Sequence, residues 1–218
     1  MVIYLNLFSS FGFYGRKKGR GLVKGAAFRI MYISDRRGRV AMKNSIELLE
    51  FKSIAKGIEV TDALMKGSRV ELVLSNAICP GKYITLVTGD LTQVKSAVEL
   101  GRRLGGIFLI ESELIANVHP EILPALSGTA EIDDIDSIGV IETMSCLNSI
   151  VTADVARKAA NVRLLEVRIA RGLGGKGFTV LSGEVSAVKR AIEAVHDKFL
   201  PMGDILCSRC CPMPINSL

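Results

Sequence analysis

The chain is predicted to be an α+β protein made of two tandem copies of one unit. Three observations carry that prediction: a pattern that repeats about 92 residues apart, an alternation of apolar strand-like runs and helical stripes in mixed order, and short loops that join neighbouring strands. The first copy reads Ser45-Ile46-Glu47-Leu48-Leu49-Glu50, then Asp62-Ala63-Leu64-Met65-Lys66, then Gly81-Lys82 and Gly89-Asp90. The second reads Ser137-Ile138-Gly139-Val140-Ile141-Glu142, then Asp154-Val155-Ala156-Arg157-Lys158, then Gly175-Lys176 and Gly183-Glu184. Duplication preserves a fold and frees one copy to specialise, so function is sought where the copies differ. The sharpest difference is Ile78-Cys79-Pro80-Gly81-Lys82 against Ala170-Arg171-Gly172-Leu173-Gly174-Gly175-Lys176.

Each element follows from local pattern. The apolar run Ile46 to Phe51 predicts a strand. Ser53 then fits a helix N-cap, with Ile54, Ala55, Ile58 and Met65 on one helical face and Gly67 at the C-terminal end. Val70 to Leu74 and Tyr83 to Val87 predict two strands around a loop. Asp90 followed by Gln93 resembles a capping box, and Val94, Ala97, Val98 and Leu104 mark a second amphipathic helix. Phe108 to Ile110 predicts a closing strand. In the second copy Val185, Val188, Ile192, Val195 and Phe199 form the matching helical stripe. Residues 43–128 and 137–206 are therefore taken as the two domains. The polar, acidic stretch 129–136 is read as their linker, and 207–218 as a tail.

Charge is unevenly placed. Residues 1–42 form a basic extension: nine Lys or Arg stand against one acid, Asp35, while the rest of the chain holds 19 basic and 21 acidic residues. A nucleic-acid partner would have to rest on that extension alone, and none is expected. The extension shows no sustained period and is expected to be at least partly disordered. Met42 stands just before the first copy, where a shorter chain would start. No run of 18 apolar residues occurs, so no membrane partner is expected. The leading apolar stretch precedes its basic cluster, the reverse of a signal peptide. Five cysteines in a chain without an export signal point to a reducing cytosol.

Cys79 is the main candidate site. Pro80 cannot donate to a ladder and Gly81 permits a tight path, which puts Cys79 at a strand end or loop. A loop thiol binds metal more readily than a core thiol. One thiol cannot hold zinc or an iron-sulfur cluster, since each needs about four ligands; three chains meeting on an axis would supply three. The competing reading is a small hydrophobe at a turn. Cys146, at a helix start, is read as packing. Cys207-Ser208-Arg209-Cys210-Cys211 has a chelating spacing but no second pair of ligands, and is read as part of the tail. The loop 171–176 lacks the spacing of a phosphate-binding loop, because Gly177 follows Lys176. Asp62 with Lys66 and Asp154 with Lys158 are i,i+4 pairs, either surface ion pairs or a shared edge contact. His119 and His196 stand alone, with no catalytic triad or paired acids around them, so an enzyme is not expected.

These motifs resemble the bacterial microcompartment shell family. Ser53-Ile54-Ala55-Lys56-Gly57 with Asp62 to Lys66, and Asp154 to Val162, are similar to its first-helix signature. Two such domains in direct order resemble its tandem-domain members. Ile78 to Lys82, Ala116-Asn117-Val118-His119-Pro120, Leu123-Pro124-Ala125-Leu126-Ser127-Gly128 and Gly172 to Lys176 resemble its propanediol-utilisation members. The resemblance implies two ferredoxin-like-variant shell domains per chain. It implies a homotrimer shaped as a pseudo-hexamer, tiling with other shell proteins around an enzyme cargo in a cytoplasmic bacterial microcompartment. It implies one [4Fe-4S] cluster per trimer, held by Cys79 from each chain, with an iron left open and loop amides tuning its potential. Its work would be electron transfer with a lumenal or cytosolic redox partner, or cluster delivery. Ile78, Pro80, Gly81, Lys82 and Arg171, Gly172, Leu173, Gly174, Gly175, Lys176 would line the pore, and Lys66 and Lys158 the tiling edge. The alternative is a cluster-free tile whose pore passes metabolites. A basic-tailed nucleic-acid binder or a small regulatory protein is a third reading. The chain departs from the family in its leading extension and after Phe199, where the expected last strand is not legible, and whether the second sheet closes is a question for the structure.

Overall fold

The computed structural model describes residues 43–131, 135–169 and 172–212. The basic extension, Arg171 and the last residues lie outside them. The first copy runs β1 (Ser45–Phe51), α1 (Ile54–Gly67), β2 (Glu71–Ile78), β3 (Lys82–Gly89), α2 (Leu91–Gly105), a 3-10 turn (Gly106–Phe108) and β4 (Leu109–Ala116). A short α3 (Ile122–Ser127) follows. The second copy runs β5 (Ser137–Thr143), α4 (Cys146–Ala159), β6 (Arg163–Ile169), β7 (Gly177–Gly183), α5 (Val185–Phe199), another 3-10 turn and β8 (Ile205–Pro212).

Each copy forms a four-stranded antiparallel sheet, in the orders β2-β3-β1-β4 and β6-β7-β5-β8. The local signals explain the elements. Ser53 Oγ accepts a hydrogen bond from Lys56 N and caps α1. Asp90 N donates to Gln93 Oε1 at 3.3 Å and starts α2. Val94, Ala97 and Val98 bury the inner face of α2; Val188, Val195 and Phe199 do so for α5.

Four expectations change. The closing strand read over Phe108 to Ile110 begins at Leu109 and runs to Ala116, with Phe108 in the preceding 3-10 turn. Strands β2 and β3 run further than their apolar cores, so the loop between them is only Cys79, Pro80 and Gly81. The apolar stripe read on α1 meets its own core only in part: Ile58 and Met65 pack against it, whereas Ile54 and Ala55 stand exposed. Gly57, Val60, Thr61 and Leu64 are buried there, while Ile54 is 37% exposed and Ile58 and Met65 are half-buried. Residues 207–212, read as a tail, belong to β8, which pairs with β5 from Ile205 opposite Thr143 to Pro212 opposite Ser137. The second sheet therefore closes. Backbone pairing drove that outcome: β5 needs a partner along its second edge, and backbone hydrogen bonds do not depend on an apolar run.

The two copies share a core. The outer face of the first sheet, with Ile46, Leu48, Leu74, Ile84, Leu86 and Ile115, packs on Leu147, Ile150 and Val151 of α4. A second core, with Leu49, Phe51, Leu64, Tyr83 and Val94, lies between the first sheet and its own helices. β1 is consequently buried along its whole length, whereas β5 alternates buried and half-buried residues.

Candidate functional site

The site is built at the ends of β2 and β6. β2 delivers Ile78 buried, and Cys79, Pro80 and Gly81 then stand exposed before Lys82 opens β3 opposite Ile78. Gly81 has φ of +75° and open space around its Cα, a backbone state that favours glycine. The Cys79–Pro80 peptide is cis.

The second-copy loop lies against this turn. Gly172, Gly174 and Gly175 all have positive φ, and Lys176 N donates to Leu173 O at 3.2 Å to close the loop. Gly175 is the contact point. A Cβ there would stand 3.4 Å from Pro80 Cδ, 3.5 Å from the Cys79 carbonyl oxygen and 3.9 Å from Lys82 Nζ. The two loops expected at one opening are thus neighbours within one chain, joined through Pro80 and Gly175. Lys176 is exposed and Leu173 half-buried. Arg171 lies outside the described residues.

Lys82 is fastened from below. Its Nζ is 2.8 Å from Glu50 Oε1, and the Glu50 side chain is only 1% exposed. This contact between a buried carboxylate and the first residue of β3 ties the base of the Cys79 turn to β1. Sequence reasoning missed Glu50, although a signal existed: Glu142 stands at the same repeat position. Cys146 sits in the same region with no solvent exposure, and burial followed by the Glu50 charge pushes its thiol pKa up. It stays a protonated packing group.

The i,i+4 lysines separate. Lys66 is 73% exposed and meets Asp62 at 2.6 Å. Lys158 meets the buried Asp154 at 2.5 Å and also donates to Ala116 O at 3.2 Å, joining the copies. That joint holds further bonds absent from the sequence reading. Asp154 accepts from His119 N, Glu121 accepts from Arg157 and from Leu164 N, and Glu111 accepts from Ser145 Oγ and Asn148 Nδ2. Burial, and then the charge of Arg157, lowers the His119 pKa.

Among the described residues no three His, Cys, Asp or Glu side chains of one chain converge as metal ligands. The pairing of β8 turns Cys207, Arg209 and Cys211 toward one face and Cys210 toward the core, which dissolves the apparent chelating cluster. No helix among the described residues is long and apolar enough to cross a membrane.

Comparison with known proteins places this architecture. The BMC domain matches residues 45–118 and again 137–214. Bacterial microcompartment shell protein PduT of Citrobacter freundii is 38% identical over 177 residues, 81% of this chain and 96% of that protein. A crystal structure of a microcompartment protein from Desulfitobacterium hafniense DCB is also 38% identical, with a TM-score of 0.74 over 81% of this chain and 97% of the other. The fused permuted hexameric shell protein of the RMM microcompartment, 21% identical with a TM-score of 0.55 over 75% of this chain and 85% of its own, shares the fold. Two matched domains, each a four-stranded sheet with its helices, and a full-length relative at this identity make the chain a member of the BMC-domain family of bacterial microcompartment shell proteins.

Proposed function

We propose that the chain is a homotrimeric tile of a bacterial microcompartment shell, with one [4Fe-4S] cluster held by Cys79 of three chains at a central opening. The observation that carries the trimer is the mismatch between covered and open faces. Within the chain, α4 covers the outer face of the first sheet. The equivalent face of the second sheet, with Ile138, Val140 and Glu142, is half-buried, and α1 leaves Ile54 and Ala55 exposed beside a half-buried Ile58. These two surfaces repeat the internal joint and cannot meet inside one chain. Joined head to tail between chains they generate a ring, and three two-domain chains would make the six-lobed ring that the resemblance implies. Lys66 and Lys158 would then stand at the tile's edge, in contact with other shell proteins.

Cys79 fits a soft metal group in its chemistry. It is an exposed thiol on a turn whose neighbour Gly81 leaves open space, and the adjoining loop is glycine-rich. One thiol per chain is too few, so the fit depends on the ring. When bound, a cluster supplies one-electron redox chemistry, for electron transfer across the shell with a lumenal or cytosolic partner or for cluster delivery. The chain's own residues do the rest. Cys79 presents the thiol, the Glu50–Lys82 pair holds the base of its turn, and Gly175, with φ of +92°, turns the second loop beside Pro80.

The test is oxygen-free purification followed by iron, sulfide and native-mass measurement on one sample. The expected outcome is a trimer with about four iron and four sulfide per three chains, and a trimeric Cys79→Ala protein without either. Iron retained by Cys79→Ala removes the cluster assignment. A trimer that never contains iron favours the tile whose opening passes metabolites. A lone subunit removes the ring.

A further inference from the structure

We propose that the cleft between the two copies is a binding site for a neutral small molecule with an apolar body and one hydroxyl or carbonyl group. The cleft has a volume of about 190 Å³ and lies where the outer face of β2, the end of α3 and the edge strand β6 meet. Leu74 and Ile78 form one wall, Val167 and Ile169 another, and Ala125 stands between. A dry apolar cavity of about 150 Å³ takes up benzene, so this space suits about six to eight non-hydrogen atoms.

Asn76 supplies the specificity. It lines the cleft, is 7% exposed, and its carboxamide makes no hydrogen bond among the described residues. Its amide group is reached from the cleft rather than sealed off, and a ligand that replaces water on it gains directional binding. A carboxamide both donates and accepts, which suits a hydroxyl or a carbonyl group. Charge does not favour an ion. Arg168 and Glu166 at the margin are paired with each other, so neither is free for a charged ligand. The floor is apolar, and an unpaired ion there would lose its hydration.

The site is specific to the joint within the chain, because α3 forms its third wall and follows only the first copy among the described residues. Ile78 immediately precedes Cys79, and Ile169 ends the strand that leads into the second loop. An occupant therefore touches the bases of both loops. This inference does not depend on any metal at Cys79.

The probes are phenol, toluene and benzoate, titrated into the full-length chain carrying 13C-labelled Ile, Leu and Val methyls. Phenol is expected to shift the Leu74, Ile78, Val167 and Ile169 methyls saturably, and benzoate to leave them unmoved. Asn76→Leu is expected to weaken phenol about tenfold and to leave toluene unchanged or tighter. Ile169→Trp, at a half-buried position, is expected to fill the space and abolish binding of phenol and toluene. Absence of saturable phenol shifts in the unaltered chain overturns the site, leaving it as hydrated space. Equal losses of phenol and toluene affinity in Asn76→Leu overturn the role of the carboxamide.

Discussion

Helices α1 and α4 occupy the same place in the two copies and are buried to different depths. α1 buries four residues against its own sheet, and α4 buries ten, because the first sheet's outer face lies across its far side. Their residues differ accordingly. Ile54, Lys56 and Glu59 in α1 stand where α4 has Cys146, Asn148 and Val151. One fold with one helical period thus yields a solvent-facing helix and a fully packed one, and the difference lies in what is stacked beside each. The loops follow the same logic. The Cys79 turn is pinned through Lys82 to a buried Glu50, whereas the second loop relies on glycines and leaves Lys176 exposed.

The largest test of this contrast is Ile150→Ala against Ile58→Ala, which are equivalent repeat positions. Ile150 is fully buried, so its truncation is expected to cost about 2–5 kcal/mol in urea unfolding. Ile58→Ala in dilute single chains is expected to cost less than about 1 kcal/mol. Equal losses would break the contrast between packed and open helices.

A second test is pH. Glu47 is wholly buried, neither carboxyl oxygen has a hydrogen-bond partner, and burial raises its pKa to about 8 despite the nearby Arg102 charge. The second copy has Gly139 at that position. Because the folded pKa exceeds the unfolded one, Glu47 supports folding most fully in acid. That support is lost as pH rises from the usual carboxylate range through about 8. Unfolding free energy is expected to fall by about 4–5 kcal/mol across that window, and Glu47→Gln to flatten this part of the profile. An identical pH slope in Glu47→Gln would remove Glu47 as the cause.

A third test concerns a size exchange between the copies. A Cβ on Gly57 would lie 2.4 Å from Tyr83 Cδ1, while in the second copy Ser149 packs over Gly177. Gly57→Ala is expected to cost about 1–3 kcal/mol by overpacking, and Ser149→Ala about 1 kcal/mol through its lost hydrogen bonds. Thermal unfolding of the two variants decides this, and a harmless Gly57→Ala would show that Tyr83 is free to move. A fourth test lies at the loop lysines. Lys82→Met leaves Glu50 unpaired and is expected to cost about 3–5 kcal/mol and speed cleavage of the Cys79 turn by a protease. Lys176→Met is expected to stay within about 0.5 kcal/mol, and equal sensitivity of the two would remove the pin.

Much of the fold was legible because its signals are local. Ser53 and Asp90 mark helix starts through hydrogen bonds within one turn, and the stripe from Val188 to Phe199 reports one face of α5 directly. β8 was not legible, since Cys207, Ser208, Arg209 and Cys210 carry no alternation that reads as a strand; pairing with β5 makes them one. Of the site, the Cys79 turn and the glycine loop were readable from Pro80, Gly81 and the repeat mismatch. Glu50, Glu121 and Asn76 were not, because each matters only through a partner distant in the chain.

By itself the sequence determined the duplication, the order of strands and helices, and the unmatched cysteine, since these depend on repeat spacing, periodicity and the backbone limits of proline and glycine. Only the tertiary structure decided which apolar stripe of α1 is covered, that the two loops touch at Gly175 and Pro80, and that Lys82 has a buried partner. Burial and charge pairing are properties of surfaces brought together from remote segments, and a linear pattern records which residues can be covered without recording what covers them.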